Sequence, residues 1–268
     1  MIVFPHAKIN LGLSIISKRP DGFHNLESVF YPVPLRDALE VVPSDKNQFF
    51  QTGLEIPGNH DDNLVLKACR LLEKRYPFIK PLEIHLHKVI PTGSGLGGGS
   101  SDAAETLHLI NRFLDLKISS GQLVAMAAEL GADCPFFMQR TPCYATGKGE
   151  ILQPVKLDIS NYSLLLVHPN IRIQTAWAFS LITPAIPTYD LKESISKPVK
   201  EWIHTISNDF EPPVFKAYPQ LQIIKDRLYD TGAIYASMTG SGSTIYGIFE
   251  KSAVPEISFE HATQTIIR

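Results

Sequence analysis

Five glycines within seven residues, Gly93, Gly95, Gly97, Gly98 and Gly99, constrain this chain more than any other feature. They sit in Pro91-Thr-Gly-Ser-Gly-Leu-Gly-Gly-Gly-Ser-Ser-Asp102-Ala-Ala. Ahead of them Leu82, Ile84 and Leu86 alternate as in a strand, and a helix is predicted behind them over about 101–114. Glycine lets the backbone turn sharply and removes the Cβ atoms that would block a close approach. A strand, a glycine loop and a helix N-terminus together offer unpaired N–H groups and a positive dipole end to an anion. Pro91, Gly93, Ser94, Gly95, Leu96, Gly97, Gly98, Gly99, Ser100 and Ser101 are therefore candidates to hold a nucleotide's phosphates. A flexible linker fits poorly, because apolar periodic segments flank the run on both sides. A Walker A loop is excluded, since Gly98 is followed by Gly99-Ser100 and not by Lys and Ser or Thr. The G-x-G-x-x-G spacing is formally met by Gly93, Gly95 and Gly98, but it falls far from the opening strand–helix unit of a dinucleotide fold.

Around this loop the chain alternates strands and helices. Ile9, Leu11, Leu13 and Ile15 share one face of a strand, and Lys8, Asn10, Gly12 and Ser14 the other. Further strands are predicted over 26–33 and 38–42. The spacing of Leu64, Val65, Ala68, Leu71 and Leu72 behind Asp61 and Asp62 predicts a helix. A second helix over 119–130 is expected to end at Gly131 as a left-handed cap. Beyond 150, strands over 162–167, 234–238 and 244–249 and a helix over 221–229 are predicted, with a proline-rich surface loop over 184–198. Interleaving of this kind favours an α+β or α/β enzyme. The 268 residues suffice for two modest domains or one large one, at roughly 150 residues per domain.

Composition narrows the partners. Twenty-five Lys and Arg against 27 Asp and Glu give a net charge of −2, without the basic footprint of a nucleic-acid binder. No apolar run approaches the roughly 20 residues of a membrane span, and the first residues lack the pattern of a signal peptide. Three cysteines without a Cys-x-x-Cys imply neither a disulfide framework nor a zinc site. A cytoplasmic protein without membrane or nucleic-acid partner is expected.

Other residues stand out individually. Lys8 and Asn10 point into the same space from one strand; the alternative is a half-exposed strand with solvated polar residues. Asp133, in Gly131-Ala-Asp-Cys-Pro-Phe-Phe137, is either a carboxylate able to accept an alcohol's proton or a turn and cap residue ahead of Pro135. His85 and His87 share a strand face, but no third ligand stands at a telling spacing. Cys134 is expected to be a small buried residue without a partner base.

Taken together, Ala7-Lys-Ile-Asn-Leu11, Arg19-Pro-Asp-Gly-Phe-His24, the glycine stretch through Ala104, 131–137 and Met238-Thr-Gly-Ser-Gly-Ser-Thr244 occur in an order that resembles the GHMP kinase superfamily. The resemblance covers about 5–250. It implies an α+β, two-domain fold: a ribosomal-S5-domain-2-like, ATP-binding domain over 1–152, a ferredoxin-like domain over 153–268, and an active site in the cleft between. The first two motifs resemble the members that use ATP to phosphorylate the 2-hydroxyl of 4-diphosphocytidyl-2-C-methyl-D-erythritol on the non-mevalonate isoprenoid route. A homoserine or mevalonate kinase of the same superfamily is the alternative. By motif, Asp133 is implied as the general base and Lys8 as its cationic partner. Residues 95–101 would hold the triphosphate and Asn63 would approach adenine. Asn10, Phe23, His24, Phe30, Phe179, Gly240 and Ser241 would contact the cytidine diphosphate substrate, Phe30 and Phe179 as aromatic faces for the base. Mg²⁺ would accompany ATP, with Ser100 or Ser101 as a ligand. Phe23 stands where the superfamily branch has Tyr, so a hydroxyl contact is lost there. A monomer or weak homodimer is expected, and the tail after Phe249 matches no motif.

Overall fold

The alternation around Ile9 and Leu11 extends in both directions into one long strand, and the apolar helix spacings each become a helix. The computed structural model describes residues 1–251, 253, 255 and 257–267. In chain order the first strands are β1 (Ile2–Val3), β2 (His6–Lys18), β3 (His24–Arg36), β4 (Ala38–Pro43) and β5 (Gln48–Gly53). Then come α1 (Leu64–Arg75), β6 (Leu82–Lys88), α2 (Gly98–Phe113), α3 (Ser120–Leu130) and α4 (Cys134–Gln139). β7 (Cys143–Thr146), β8 (Ile151–Pro154) and β9 (Tyr162–His168) lead to α5 (Thr175–Ser180) and α6 (Leu191–Ser196). α7 (Glu211–Ala217), α8 (Pro219–Asp230), β10 (Tyr235–Met238), β11 (Ile245–Glu250) and β12 (Thr263–Ile267) complete the described chain. Among the described residues, no helix is long and apolar enough to cross a membrane.

These elements form two compact units, neither continuous in sequence. The first comprises Met1–Ala7, Pro34–Thr92 and Gly97–Arg140, and holds the sheet β1-β4-β6-β5. β4 runs antiparallel to β6, with Val41 opposite Ile84, while β5 is parallel to β6. Helices α1, α2 and α3 bury Val65, Leu72, Leu107, Ile110 and Met126 against Leu39, Val41 and Ile84 of that sheet.

The second unit comprises Lys8–Val33, Gly93–Leu96 and Thr141–Arg268. It holds two sheets, β2-β3-β7-β8 and the antiparallel β10-β11-β9-β12. Leu13 and Ile15 join Leu165, Val167, Val214, Leu221 and Met238 in one core. This grouping by compactness gathers 8–33 with residues beyond 140, so it does not follow a single cut at 152.

Local chemistry explains the helix ends. Ser119 and Gln122 form a reciprocal capping box at the start of α3. Gly131 does not supply the expected left-handed cap: its φ of 172° and ψ of 155° are extended, so the chain leaves α3 straight towards α4. α2 begins at Gly98, ahead of the predicted Ser101, because left-handed Gly97 (φ 72°) turns the chain into the helix early. The proline-rich stretch is a loop only in part, since Asp190 caps the short α6 within it by accepting from Glu193 N–H at 3.0 Å. The tail beyond Phe249 carries β12, which pairs with β9. The one- and two-turn helices α4 to α7 and the short strands β1, β7 and β8 escape the sequence reading because they are shorter than the periods that reveal them.

Candidate active site

Within the second unit β2 presents Lys8 inward, and the lysine is 3% exposed. Its Nζ donates to Asn10 Oδ1 at 2.5 Å and lies 5.1 Å from the ring centre of Phe30. Asn10, also 3% exposed, is engaged on every side. Its Nδ2 donates to Ser28 Oγ (2.9 Å), whose hydroxyl donates to Gly12 O (2.6 Å). Its backbone N–H donates to Thr239 Oγ1 (3.0 Å), and its carbonyl accepts from the Tyr246 hydroxyl (2.9 Å). The half-exposed strand is therefore not what forms. A buried ammonium is costly unless hydrogen-bonded, and this network fixes where the Lys8 charge stands. Asn10, expected to touch substrate, spends its side chain on Lys8 and Ser28.

The same unit brings two glycine loops from distant sequence into backbone contact. Gly95 has φ +82°, and a Cβ there would overlap the carbonyl oxygen of Thr239 and stand 3.0 Å from its carbon. Thr239 shares its hydroxyl proton between Gly95 O (3.1 Å) and Asn10 Oδ1 (3.2 Å). Thr244 N–H donates to Ser94 O at 3.1 Å, and Lys8 N–H to Leu96 O at 2.9 Å. Asn208 Nδ2 holds the second loop from below through Met238 O (2.8 Å) and Gly240 O (2.9 Å). Gly240 lies over Asn10: its Cβ would stand 3.5 Å from Asn10 Oδ1. Thr239 lies within the Met238–Thr244 motif with nothing to mark it as a contact residue, and Asn208 stands without a spacing signal.

His24 stacks on Phe179, ring centres 5.0 Å apart at 17°, and Phe179 meets Phe210 in a perpendicular pair with ring centres 4.9 Å apart. Partial burial, reinforced by the nearby Lys18 charge, holds the His24 imidazole below its ordinary range. Phe30 departs from expectation. It is 2% exposed beneath Lys8, so its ring packs under the lysine and offers no open face to a base. Phe23 is 56% exposed, with Lys148 Nζ 4.5 Å from its ring centre. Ser241 pairs its hydroxyl with Thr175 Oγ1 at 3.2 Å.

In the first unit the glycine run enters α2. Gly99 sits by the start of α1, 3.7 Å from Leu64 Cδ1 on adding a Cβ. Asn63 caps α1 by accepting from Val65 N–H (2.9 Å), which accounts for the side-chain oxygen expected near adenine. Ser100 bonds the Cys134 thiol, which burial pushes up to about 12, so Cys134 is no nucleophile at neutral pH. Next to it, Asp133 opens α4 with helical φ and ψ and makes no capping bond to the backbone. The cap reading of its side chain therefore fails.

Beneath the same loop lies an ion triad that the sequence did not reveal, because a Lys ending a strand reads as exposed. Lys88 Nζ, fully buried, pairs with Asp37 and with Asp102 Oδ2 (2.7 Å). Asp37 Oδ1 also accepts from Val89 N–H (2.6 Å) and Ile90 N–H (2.8 Å). Burial pushes the Asp102 carboxyl up, with Lys88 opposing. A Cβ on Gly98 would stand 2.9 Å from Lys88 Nζ, so the charge sits directly under the helix start. The triad ties the end of β6 to the first turns of α2, the two stems of the loop. Lys88→Met, which strands two buried carboxylates, should cost about 3–5 kcal/mol in a denaturant titration. Asp102→Asn, which keeps an oxygen for Lys88, should cost clearly less; equal losses would mean that packing and not charge holds the stems.

A magnesium ion arriving with a nucleotide needs only one or two protein oxygens. Ser100, partly exposed in the first turn of α2, fits that need. Ser101 is 0% exposed, and its Oγ is buried with no hydrogen-bond partner among the described residues. Among those residues no three His, Cys, Asp or Glu side chains gather into a metal-binding group. His85 is instead paired with Glu83 (2.7 Å) and stacked on Phe50, and His87 bonds Thr52 (2.9 Å).

Comparison with known proteins matches residues 63–140 to the GHMP kinases N terminal domain and 191–263 to the GHMP kinases C terminal domain. A 4-diphosphocytidyl-2-C-methyl-D-erythritol kinase of Parabacteroides distasonis is 53% identical over 251 residues, 94% of this chain and 92% of that protein. One of the same name from Bacteroides thetaiotaomicron is 52% identical, covering 96% and 95%. A crystal structure of a 4-(cytidine 5'-diphospho)-2C-methyl-D-erythritol kinase superposes with TM-score 0.80 at 31% identity, covering 94% of this chain and 91% of that one. The expected α+β, two-domain architecture is that of these proteins. With both family domains matched in order and half of its residues shared with relatives along nearly its whole length, the chain belongs to the GHMP kinase family.

Proposed function

We propose that this enzyme transfers the γ-phosphate of ATP to the 2-hydroxyl of 4-diphosphocytidyl-2-C-methyl-D-erythritol, a step towards isoprenoid precursors. Identity of 50–53% with relatives named for that reaction supports the substrate. The observation that carries the chemistry is the buried Lys8. Its backbone is bonded to the glycine loop at Leu96 and its ammonium is fixed by Asn10. Phosphoryl transfer asks a protein mainly to position groups and neutralise charge. In this reading backbone N–H groups of 95–101 hold the triphosphate, and the positive end of α2 adds to their effect. Lys8 neutralises charge on the transferring group, and Asp133 takes the hydroxyl proton as the general base. Mg²⁺, bound with ATP through Ser100, would supply further charge neutralisation on the phosphates. His24 and Phe179 receive the cytosine, and Gly240 and Ser241 close on the substrate. ATP binding is assigned to 1–152 and the remainder to 153–268. The enzyme works in the cytoplasm on small molecules, without nucleic acid or membrane, as a monomer or weak homodimer.

A coupled ADP-release assay tests this. The cytidine compound should turn over far faster than homoserine or mevalonate; equal or faster turnover of either alcohol would replace the substrate.

A further inference from the structure

The link from β9 to α5 lies against both glycine loops, and its one arginine is unaccounted for. Ser243 Oγ donates to Ile171 O at 2.5 Å, and Thr175 Oγ1 meets Ser241 Oγ at 3.2 Å. Ile173 Cδ1 would lie 2.9 Å from a Cβ on Gly242. Arg172 is thus fastened on both sides to the 240–243 loop, while its side chain runs over the other loop. Its Cγ is 3.7 Å and its Nε 4.0 Å from where a Cβ of Gly93 would stand. Gly93, at φ +66°, leaves that space open. Arg70, Arg75 and Arg140 each close on a carboxylate, and Arg227 lies over Phe259. Arg172 is exposed and, among the described residues, makes no ion pair and no side-chain hydrogen bond.

We propose that Arg172 is a further phosphate-binding residue, its guanidinium bonding an oxygen of a phosphoryl group held at the two glycine loops. A guanidinium presents a planar fork suited to phosphate oxygens, and such charge-assisted bonds are the stronger kind. An ion-pair partner would tie that fork up; its absence keeps the donors available. The proposal rests on the kinase reading above. The phosphoryl group belongs either to ATP or to the diphosphate of the cytidine substrate, and both present the same oxygens.

Titration of Arg172→Gln and Arg172→Lys with ATP and, separately, with cytidine 5'-diphosphate distinguishes the two sources. The Gln variant should lose about 10–100-fold in affinity for one of them, with a matching rise in KM. The Lys variant, which keeps the charge without the fork, should recover part of the loss. Because the side chain is exposed and unpaired, melting temperatures should stay at the wild-type value. Loss confined to ATP assigns the residue to the nucleotide phosphates, and loss confined to the cytidine compound assigns it to the acceptor. Unchanged affinity and KM for both ligands in a well-folded Gln variant overturns the proposal. These titrations need no turnover, so a wild type that binds ATP but leaves the cytidine alcohol unphosphorylated would sink the substrate assignment while Arg172 is judged on ATP alone.

Discussion

Asp133→Asn should lower kcat by about 10²–10⁴ while ATP affinity holds. The amide keeps the size and shape of the carboxylate but cannot take up a proton from the attacking hydroxyl. The substitution removes no helix cap, because Asp133 at the N-cap of α4 makes no side-chain capping bond and Pro135 already suits the first turn. Circular dichroism and melting of the variant show whether a fall in rate reports chemistry or folding. In a loose phosphoryl-transfer transition state the proton leaves late, which puts the effect at the lower end of the range if positioning dominates. Near-normal turnover by the folded variant would reduce Asp133 to a turn residue.

Replacing the cytosine head of the substrate by uracil should lower kcat/KM by about 10⁴, the penalty when a site's buried polar groups lose their partners. Cytosine offers an amino donor at N4 and an acceptor at N3; uracil reverses both. His24 is placed for such reading, since its stack on Phe179, itself braced by Phe210, fixes the plane of the ring. A neutral imidazole, favoured here by burial and Lys18, has one donor and one acceptor. It could exchange tautomers to suit uracil, whereas backbone groups of the same strand cannot, so discrimination should shrink in His24→Ala without disappearing. That variant should lose turnover with the cytidine compound and keep its ATP affinity. Equal kcat/KM for both pyrimidines in the wild type would remove the cytidine assignment.

What sequence revealed, it revealed through local pattern. The glycine run marked the loop that enters α2, and the alternation around Ile9 placed Lys8 and Asn10 on one face. Alternation tells which way a side chain points but not what it meets. Asn10, implied as a substrate contact only by the resemblance, has partners Ser28 and Thr239 that come from a neighbouring strand and from 229 residues away. Phe30, implied by the resemblance as an aromatic face for the base, is 2% exposed, and no local pattern shows that burial. Lys88, Asp37 and Asp102 lie 51 and 14 residues apart in their pairings, and nothing local marks them as one cluster. Gly131 shows a different limit, since a glycine after a helix permits a left-handed cap without requiring one.

The second unit's division into three stretches bears on how the chain is made. During synthesis β2 and the start of β3 leave the ribosome well before their partners, since Ser28 pairs with Ala145 and Leu13 bridges to Asn208. For most of translation a strand with nine consecutive positions destined for burial has no finished sheet to enter. Unpaired apolar strands of this kind are the ones that aggregate or recruit chaperones. The glycine loop waits longer still, because Thr239, which sits against Gly95, emerges 144 residues after it. A nascent chain therefore carries its glycine-run sequence long before that loop has the partner that completes its shape.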